Sequence, residues 1–323
     1  MDKKTYTNLM VSNAPHIVTG MDTQKTMLMV IIALIPSLVV SCVVFGLRAL
    51  LLTAVSMACA MFFEWFWNKT RHNTQTVCDL SAALTGMILA FNVPVSLPIW
   101  ILIIGDFVAI IVVKQLFGGI GKNIANPAIT ARIVLFISFA TEMTGWTNPV
   151  MIDSVSTATP LGILAEGGAE LPGLKVMFLG LTGGSLGEVS ALALLVGGIF
   201  LVWKKIISPI IPCCFIGTVF VFALIYYSAT GDDTPFQMAV WHVLAGGVML
   251  GAIFMATDYV TSPLLPWGKV VFGIGCGAMT MIIRLWGQYP EGVSFSILLM
   301  NCLTPLINNF FQKRMYGGAK NAK

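Results

Sequence analysis

The residues best suited to chemistry form one polar stretch, residues 153–161, which reads DSVSTATPL. The hydroxyl of Thr159 is a group that can be joined to a phosphate, the small Ala158 leaves room for a modifying enzyme, and Asp153 is placed to orient the incoming group or bind its metal. The same letters also describe a helix start, with Thr159 as N-cap and Pro160 at the first helical position. The stretch is therefore either a helix start or a site of covalent modification at Thr159.

The composition places this stretch in a membrane protein. Of the 323 residues, 57% are hydrophobic and 10% are charged, against roughly 25% charged in an average soluble domain. Too few polar residues remain to coat a globule of this size, so much of the surface must face a lipid bilayer. The sequence has no basic cluster interleaved with aromatic residues, so nucleic-acid binding is not predicted. The histidines are scattered, and the cysteines form no CxxC pair. The sequence therefore indicates no metal site.

The apolar runs predict an all-α, polytopic helical membrane protein with about ten transmembrane helices, some broken or re-entrant. The runs are 27–46, 49–67, 80–93, 97–117, 128–140, 186–203, 206–228, 241–256, 270–285 and 293–311. They divide the chain into an amino-terminal segment (1–26), a first five-helix half (27–140), a long polar loop (141–185), a second five-helix half (186–311) and a basic tail (312–323).

The distribution of basic residues predicts the orientation of these helices. The chain has 18 Lys and Arg residues. With the amino terminus inside, the outer segments hold only Arg48, Lys175 and Arg284, and Arg132 lies within the fifth run. Because basic residues concentrate on the cytoplasmic side of a membrane, we expect a protein of the inner (cytoplasmic) membrane with both termini cytoplasmic. The 141–185 loop, and Thr159 with it, is then extracytoplasmic.

Two acidic residues fall within or beside the apolar runs. Asp106 lies near the middle of the fourth run, and Glu188 enters the sixth. A charge at the bilayer centre costs about 2.5–3.5 kcal/mol on insertion scales. Such residues are either members of a structural ion pair or part of a cation pathway, so Asp106 and Glu188 are candidates for ion coupling.

Residues 153–161 resemble the flavin-attachment motif of the family that contains the D subunit of Rnf complexes and the B subunit of the sodium-pumping NADH:quinone reductase. The usual motif is Ser-Gly-Ala-Thr, and this chain has Thr157 where glycine is commonest. Further segments that resemble the family follow in order: 12–17, 84–87, 117–123, 126–128, 254–263, 289–293 and 299–301. The chain begins almost at Ala14-Pro15-His16, without the longer amino-terminal extension of the quinone-reductase protein, which favours the Rnf branch.

The resemblance implies a membrane electron-transfer component of a redox-driven translocase. Such a complex links reduced ferredoxin and NAD to the movement of Na⁺ or H⁺, and the partners are other Rnf-type membrane and peripheral subunits. In that family a dedicated flavin transferase joins FMN through its phosphate to the threonine. The implied covalent site is Thr159, with Asp153, Ser156, Thr157 and Ala158 around it.

The family also holds a second, non-covalent flavin, such as riboflavin, within the helix bundle. Two irregular patches of this chain, 118–132 and 257–269, interrupt the apolar runs with glycine, proline and polar residues. Irregular backbone at membrane depth is tolerated only where it is buried in protein or lines a site. The candidate lining residues of the second flavin site are Gly118, Gly119, Asn123, Asn126, Thr257 and Asp258.

The alternative is a stand-alone secondary transporter or channel without a redox cofactor. Broken helices and acidic residues within the membrane fit that class equally well, because they also mark solute sites. The polar loop distinguishes the two, since a plain transporter has no need of an external Ser-Thr-Ala-Thr patch. A preparation without flavin colour or fluorescence would favour the transporter.

Overall fold

The computed structural model describes residues 22–72, 74–146, 159–165, 173–180, 183–188, 190–231, 234–287 and 291–311. Throughout these residues the regular structure is helical, without a β-strand. The all-α class predicted from the apolar runs is confirmed.

Fourteen helices follow one another in the described ranges, and two of them continue as π-helical turns. They are α1 (Thr23–Phe45), α2 (Leu47–Thr70), α3 (Ser81–Phe91), α4 (Ile99–Phe107, continuing as the π-helix Val108–Gln115), α5 (Pro127–Ser138), α6 (Ala140–Met143), α7 (Pro160–Ala165), α8 (Leu174–Leu179), α9 (Ala191–Trp203), α10 (Ile210–Thr230), α11 (Pro235–Leu244), α12 (Val248–Leu250, continuing as the π-helix Gly251–Met255), α13 (Pro266–Trp286) and α14 (Val293–Phe311). Short 3₁₀ turns precede α3 (Val77–Asp79) and α9 (Leu186–Glu188).

The long helices make this a multi-pass membrane protein. Within the described residues, α1, α2, α10, α13 and α14 are each long and apolar enough to cross a membrane. The pair α11 and α12 passes the same test together and is bent by 63° at its break, which gives up to six spans. This bent pair overlaps the eighth apolar run, 241–256, which the sequence predicts as one span. The break falls within that run and not in the irregular patch that follows it.

Three further apolar runs form the shorter helices α3, α5 and α9. Helix α3 has 11 residues, or roughly 16 Å at 1.5 Å per residue, against a hydrocarbon core of about 30 Å. Helices α5 and α9 are short and apolar as well. Ends of such helices lie at membrane depth, where their backbone groups need protein partners.

Side chains of α1 and the backbone after α3 supply these partners. The Leu186 amide donates to the Val93 carbonyl at 3.2 Å, which joins the residues after α3 to the turn before α9. The Ser41 hydroxyl lies against the Leu186 carbonyl, and the Ser37 hydroxyl donates to the Gly187 carbonyl at 3.3 Å. The ends of the short helices therefore meet inside the bundle and carry polar groups into it.

The loop helices pack apart from the main core. Leu161 of α7 and Met177 of α8 form a separate apolar cluster with Trp241 and Ala245 at the end of α11. The first residues of the loop helix α7 are thereby held against the broken span, which places Thr159 beside the bundle.

Candidate functional site

Thr159 begins helix α7 and is largely buried, with a relative exposure of 7%. Its Oγ1 accepts a hydrogen bond from the Gly162 amide at 3.0 Å, and Pro160 occupies the first helical position. This is N-cap geometry, in which a side-chain oxygen satisfies one of the free amides of the first turn. The helix start that the sequence offers as one interpretation of this stretch is therefore present in the structure. Four other motif residues, Asp153, Ser156, Thr157 and Ala158, lie outside the described residues.

The break between α11 and α12 lies directly beside Thr159. Thr159, Leu161, Gly246, Glu188 and Glu291 line a small cavity of about 20 Å³. Gly246 has φ +64°, and a Cβ placed on it would lie 2.6 Å from the Leu161 Cδ1. Glycine is thus required both for the backbone turn and for the approach of α7.

Arg284 of α13 stabilises the broken span. Its Nη1 donates to the His242 carbonyl at 2.6 Å and its Nη2 to the Ala245 carbonyl at 2.8 Å. Those carbonyls belong to the last turn of α11, which carries partial negative charge. Arg284 of α13 therefore caps the carboxyl end of α11, at the break in the span.

Arg132 collects groups from several helices into one buried cluster. It lies in the middle of α5 rather than at its end, and its guanidinium contacts the carboxylate of Glu291 and lies 3.8 Å from the Glu188 Oε1. Its Nη1 donates to the Ser294 hydroxyl at 2.7 Å and to the Asn92 Oδ1 at 3.3 Å. We call Arg132, Glu188 and Glu291 the arginine cluster.

The position of Glu188 differs from its sequence placement. The sequence places Glu188 inside the sixth run, whereas it lies in the 3₁₀ turn that precedes α9. Its Oε1 would lie 2.6 Å from a Cβ on Gly247, so it faces the helix break and the Arg132 side chain. Glu188 is therefore a partner of Arg132 beneath Thr159 and not an isolated acid along a helix.

Asp106 lies in a separate place, on α4 between α2 and α3. It is fully buried. Its Oδ1 is 2.7 Å from the Ser56 hydroxyl, which also lies 2.8 Å from the Gly86 carbonyl. A hydroxyl has one hydrogen, so it cannot donate to both oxygens. The Ser56 hydroxyl therefore lies between two acceptor oxygens and links Asp106 to the backbone of α3.

Sequence reasoning missed a second buried ion pair. Lys114 Nζ lies 2.9 Å from the Glu64 Oε1 and 2.8 Å from the Ser81 hydroxyl, and both charged side chains are almost fully buried. Gln115 and Thr76 also donate to the same Glu64 oxygen, at 3.0 and 2.8 Å. The sequence places Glu64 and Lys114 at the ends of separate runs, and the only signal was an acidic and a basic residue on the same predicted side of the membrane. Among the described residues, no group of three or more His, Cys, Asp and Glu side chains is arranged to hold a metal ion.

The two irregular patches meet at one cavity of about 260 Å³. This volume is close to the lower end of ligand pockets, which span about 300–1,000 Å³. Its polar lining includes Thr85, Lys114 and Tyr259. It also includes four residues that the sequence predicts for the second flavin site: Asn123, Asn126, Thr257 and Asp258. We call it the patch cavity.

Asn126 joins the first irregular patch to the end of the π-helix Gly251–Met255, just before the second patch. Its side chain caps α5 by accepting from the Ala128 and Ile129 amides, and its Nδ2 donates to the Met255 carbonyl at 3.2 Å. The first turn of α5, with its partial positive charge, therefore faces the patch cavity. Gly118 and Gly119 do not line the cavity; they form a turn with φ +108° and +89°.

Comparison with known protein families gives a match over almost the whole chain. The sequence profile of the NQR2, RnfD, RnfE family matches residues 10–317. A relative from Acetobacterium woodii, named as the D subunit of a Na⁺-translocating ferredoxin:NAD⁺ oxidoreductase complex, is 47% identical over 319 residues, which cover 98% of this chain and 98% of the relative.

Two further relatives also align over almost the whole chain, at lower identity. A protein from Clostridium ljungdahlii, named as the D subunit of a proton-translocating ferredoxin:NAD⁺ oxidoreductase complex, is 41% identical over 95% of this chain and 96% of its own length. A protein from Stutzerimonas stutzeri, named as the D subunit of an ion-translocating oxidoreductase complex, is 36% identical over 93% of each chain.

Proposed function

Because the chain belongs to the NQR2, RnfD, RnfE family, we propose that it is the membrane-embedded D subunit of an Rnf-type ferredoxin:NAD⁺ oxidoreductase complex. In that role it carries electrons within a complex that couples their flow to Na⁺ or H⁺ translocation, and its partners are the other subunits of the complex. The observation that carries the proposal is the 47% identity over 98% of the chain to a relative with that name. One relative is named for Na⁺ translocation and another for proton translocation, so the proposal includes both ions. Purified complex should reduce NAD⁺ with reduced ferredoxin and lose this activity without the chain.

We propose that Thr159 carries a covalent FMN. The support is the Ser-Thr-Ala-Thr motif of the resemblance together with the position of Thr159, a hydroxyl at the start of a loop helix. A flavin transferase would transfer the FMN moiety from a flavin dinucleotide such as FAD. The bond between the Thr159 Oγ1 and the FMN phosphorus would form as the pyrophosphate P–O bond breaks, with AMP as the leaving group and the hydroxyl proton released. Asp153, Ser156, Thr157 and Ala158 form the rest of this proposed site.

The geometry around Thr159 restricts when this bond can form. Thr159 is 7% exposed, and the cavity beside it holds about 20 Å³, too small to admit the transferase. We therefore expect modification before α7 docks, or after α7 moves away from the α11–α12 break. The chemistry of the hydroxyl fits the phosphoester, and the packing determines the order of events.

The patch cavity is the proposed site of the second, non-covalent flavin. Asn123 and Asn126 provide amide donors and acceptors, and Thr257 and Asp258 line the opposite patch. The remaining lining is largely apolar, as expected for a flat aromatic ligand with few polar positions. Gly118 and Gly119, named from the sequence for this site, serve the turn next to it.

A flavin accepts one or two electrons, so it can connect one-electron and two-electron carriers. The residues of this chain hold and orient such groups: α7 and its contacts with α11 position Thr159, and the Asn126 hydrogen bond to Met255 fixes the first patch against the π-helix that precedes the second. We also propose that both termini face the cytoplasm and that the 141–185 loop is extracytoplasmic, in agreement with the charge distribution.

Filling the patch cavity should remove the non-covalent flavin. Thr85 lines the cavity, and its hydroxyl bonds the Ser81 carbonyl one turn earlier in its own helix. Thr85→Trp should abolish nearly all flavin that acid releases from the purified protein, because the indole occupies the space. Quantification of the released flavin by chromatography checks this.

Thr230→Trp is the matched control for that substitution. Thr230 makes the same bond within its helix, to the Tyr226 carbonyl, but it is exposed at the end of α10. The control should keep the releasable flavin. Equal flavin in both variants would remove the patch cavity as the site.

Asp106 is the proposed group for ion coupling in the first half. Asp106→Asn should retain folding and electron transfer, because an amide also hydrogen-bonds Ser56, but it cannot exchange a proton or bind a cation as a carboxylate. In proteoliposomes with the whole complex, ferredoxin-driven ion uptake should fall to the level of passive leak. Full ion uptake in this variant would contradict the role of Asp106. Glu188, paired with Arg132, is the second proposed coupling residue.

A further inference from the structure

A long apolar groove runs between α9, α10 and α11, next to the patch cavity, with which it shares the lining residues Ile207 and Ile253. Its volume is about 710 Å³. Its walls are formed by apolar side chains of the three helices, among them Ile199, Trp203, Ile216, Phe220, Val240 and Val243. Ile199 and Trp203 are 67% and 75% exposed. The groove therefore opens to the lipid side of the membrane span.

One end of this groove is basic. Trp203 is the last residue of α9, and the Nζ of Lys204 lies 5.1 Å from the centre of the Trp203 ring. Lys205 follows with φ +57°. Both lysines are exposed, and within the described residues neither forms a salt bridge with a carboxylate. Two uncompensated positive charges thus lie at the mouth of an apolar groove.

We propose that this groove binds an anionic phospholipid, with its acyl chains along α9–α11 and its phosphate beside Lys204 and Lys205. The apolar walls match the chains, and basic pockets between membrane helices match anionic headgroups. Tryptophan at the boundary matches the interfacial position between the two parts of a lipid. A helix of a partner protein fits less well, because helix interfaces in membranes favour small residues and, apart from Gly198, Gly217 and Cys213, the groove is lined mostly by larger apolar side chains.

Gly217 of α10 lines the groove and allows a direct test. A Cβ placed on Gly217 meets no heavy atom within 4 Å, so a larger side chain there enters the groove without a clash. Gly198, in the same groove, would place its Cβ 2.8 Å from the Ile253 Cγ2 and is unsuitable. Gly217→Leu should therefore occupy the groove in a folded protein.

The experiment is native mass spectrometry of the full-length chain in detergent, with palmitoyl-oleoyl phosphatidylglycerol or palmitoyl-oleoyl phosphatidylcholine added. We expect the wild type to retain phosphatidylglycerol in preference to phosphatidylcholine. Replacing Lys204 or Lys205 by Gln should weaken phosphatidylglycerol binding about fivefold for each lysine, from the attraction of one basic residue to an anionic lipid surface. Gly217→Leu should abolish retention of the lipid.

Lys69→Gln is the matched control. Lys69 lies over Trp65 at 4.6 Å, in the last turn of α2, so it repeats the Lys–Trp pair at a site where Trp65 does not line the groove. This variant should bind like the wild type. Equal retention of both lipids would overturn the proposal, as would wild-type retention in Gly217→Leu. Loss of partner proteins from Gly217→Leu with its lipid intact would overturn it in favour of a partner helix.

Discussion

Replacing Thr159 by Ala should abolish the flavin fluorescence that stays with the polypeptide after denaturation. The reason is chemical, because the proposed phosphoester requires the Thr159 oxygen and alanine has none. Ferredoxin-dependent NAD⁺ reduction by the complex should be lost as well, since the electron path then lacks one carrier. Fluorescence imaging of a denaturing gel, before protein staining, measures the first effect.

The role of Thr159 as an N-cap requires a second pair of variants. Thr159 accepts from the Gly162 amide, and loss of such a cap costs about 0.5–2 kcal/mol. Thr159→Asn preserves a capping oxygen but offers no hydroxyl, so it should stay folded and lose the fluorescence. Thr159→Ser preserves both and should retain it.

An exposed threonine nearby provides the negative control. Thr141 lies on α6, and its hydroxyl bonds the neighbouring Glu142. Thr141→Ala should leave the fluorescence unchanged. Retained fluorescence in Thr159→Asn would contradict the assignment of Thr159, since capping alone would then be its function.

Replacing Arg132 by Leu should destabilise the protein more than other single changes of a charged residue. The substitution leaves Glu188 and Glu291 without their buried partner, and breaking a buried pair costs about 3–5 kcal/mol. The Ser294 and Asn92 hydrogen bonds are lost as well. Thermal unfolding of the purified protein in detergent should therefore begin at a clearly lower temperature.

Arg48→Leu is the comparison for this effect. Arg48, like Arg132, donates hydrogen bonds, in its case to the Ser96 backbone carbonyl at 3.2 Å, but its side chain is exposed. Its replacement should change stability by no more than about 0.5 kcal/mol. Adding Glu188→Gln and Glu291→Gln to Arg132→Leu should recover part of the lost stability, because neither side chain then carries a buried charge that has lost the Arg132 guanidinium. An Arg132→Leu protein as stable as the wild type would show that the arginine cluster does not hold the helices together.

Local sequence patterns were sufficient for the class and for the approximate position of the helices. Apolar length alone indicates the long helices α1, α2, α10, α13 and α14. The break between α11 and α12 was not predicted, because the eighth run has the apolar composition of an uninterrupted span. The irregular patches were also readable, because proline and polar residues do not continue a buried helix. The two irregular patches line one cavity because they lie at the same depth in the membrane.

The polar contacts between helices could not be predicted in the same way. Whether Glu64 meets Lys114, or Arg132 meets Glu291, depends on the rotation and tilt of separate helices, which hydropathy does not determine. The π-helical turns that rotate Lys114 into the bundle carry no reliable sequence signal. The sequence therefore located the charged residues but not their partners.

The motif at Thr159 shows why a sequence can support two interpretations at once. Thr-Pro describes an N-cap, and the structure contains that cap, while the surrounding letters match a modification motif. The two roles use the same oxygen: it accepts from the Gly162 amide in the docked α7, and in the proposed modified protein it also carries the phosphate. Burial of Thr159 against Gly246 and Glu291 arises from the contact of α7 with the broken span, which no local pattern reports.

The most direct measurement is mass spectrometry of the peptide that contains Thr159, taken from the complex purified from its native membrane. We predict that this peptide carries the mass of FMN less one water, and that fragmentation places the addition on Thr159. An unmodified Thr159 peptide from a complex that still reduces NAD⁺ with ferredoxin would contradict the proposed covalent flavin.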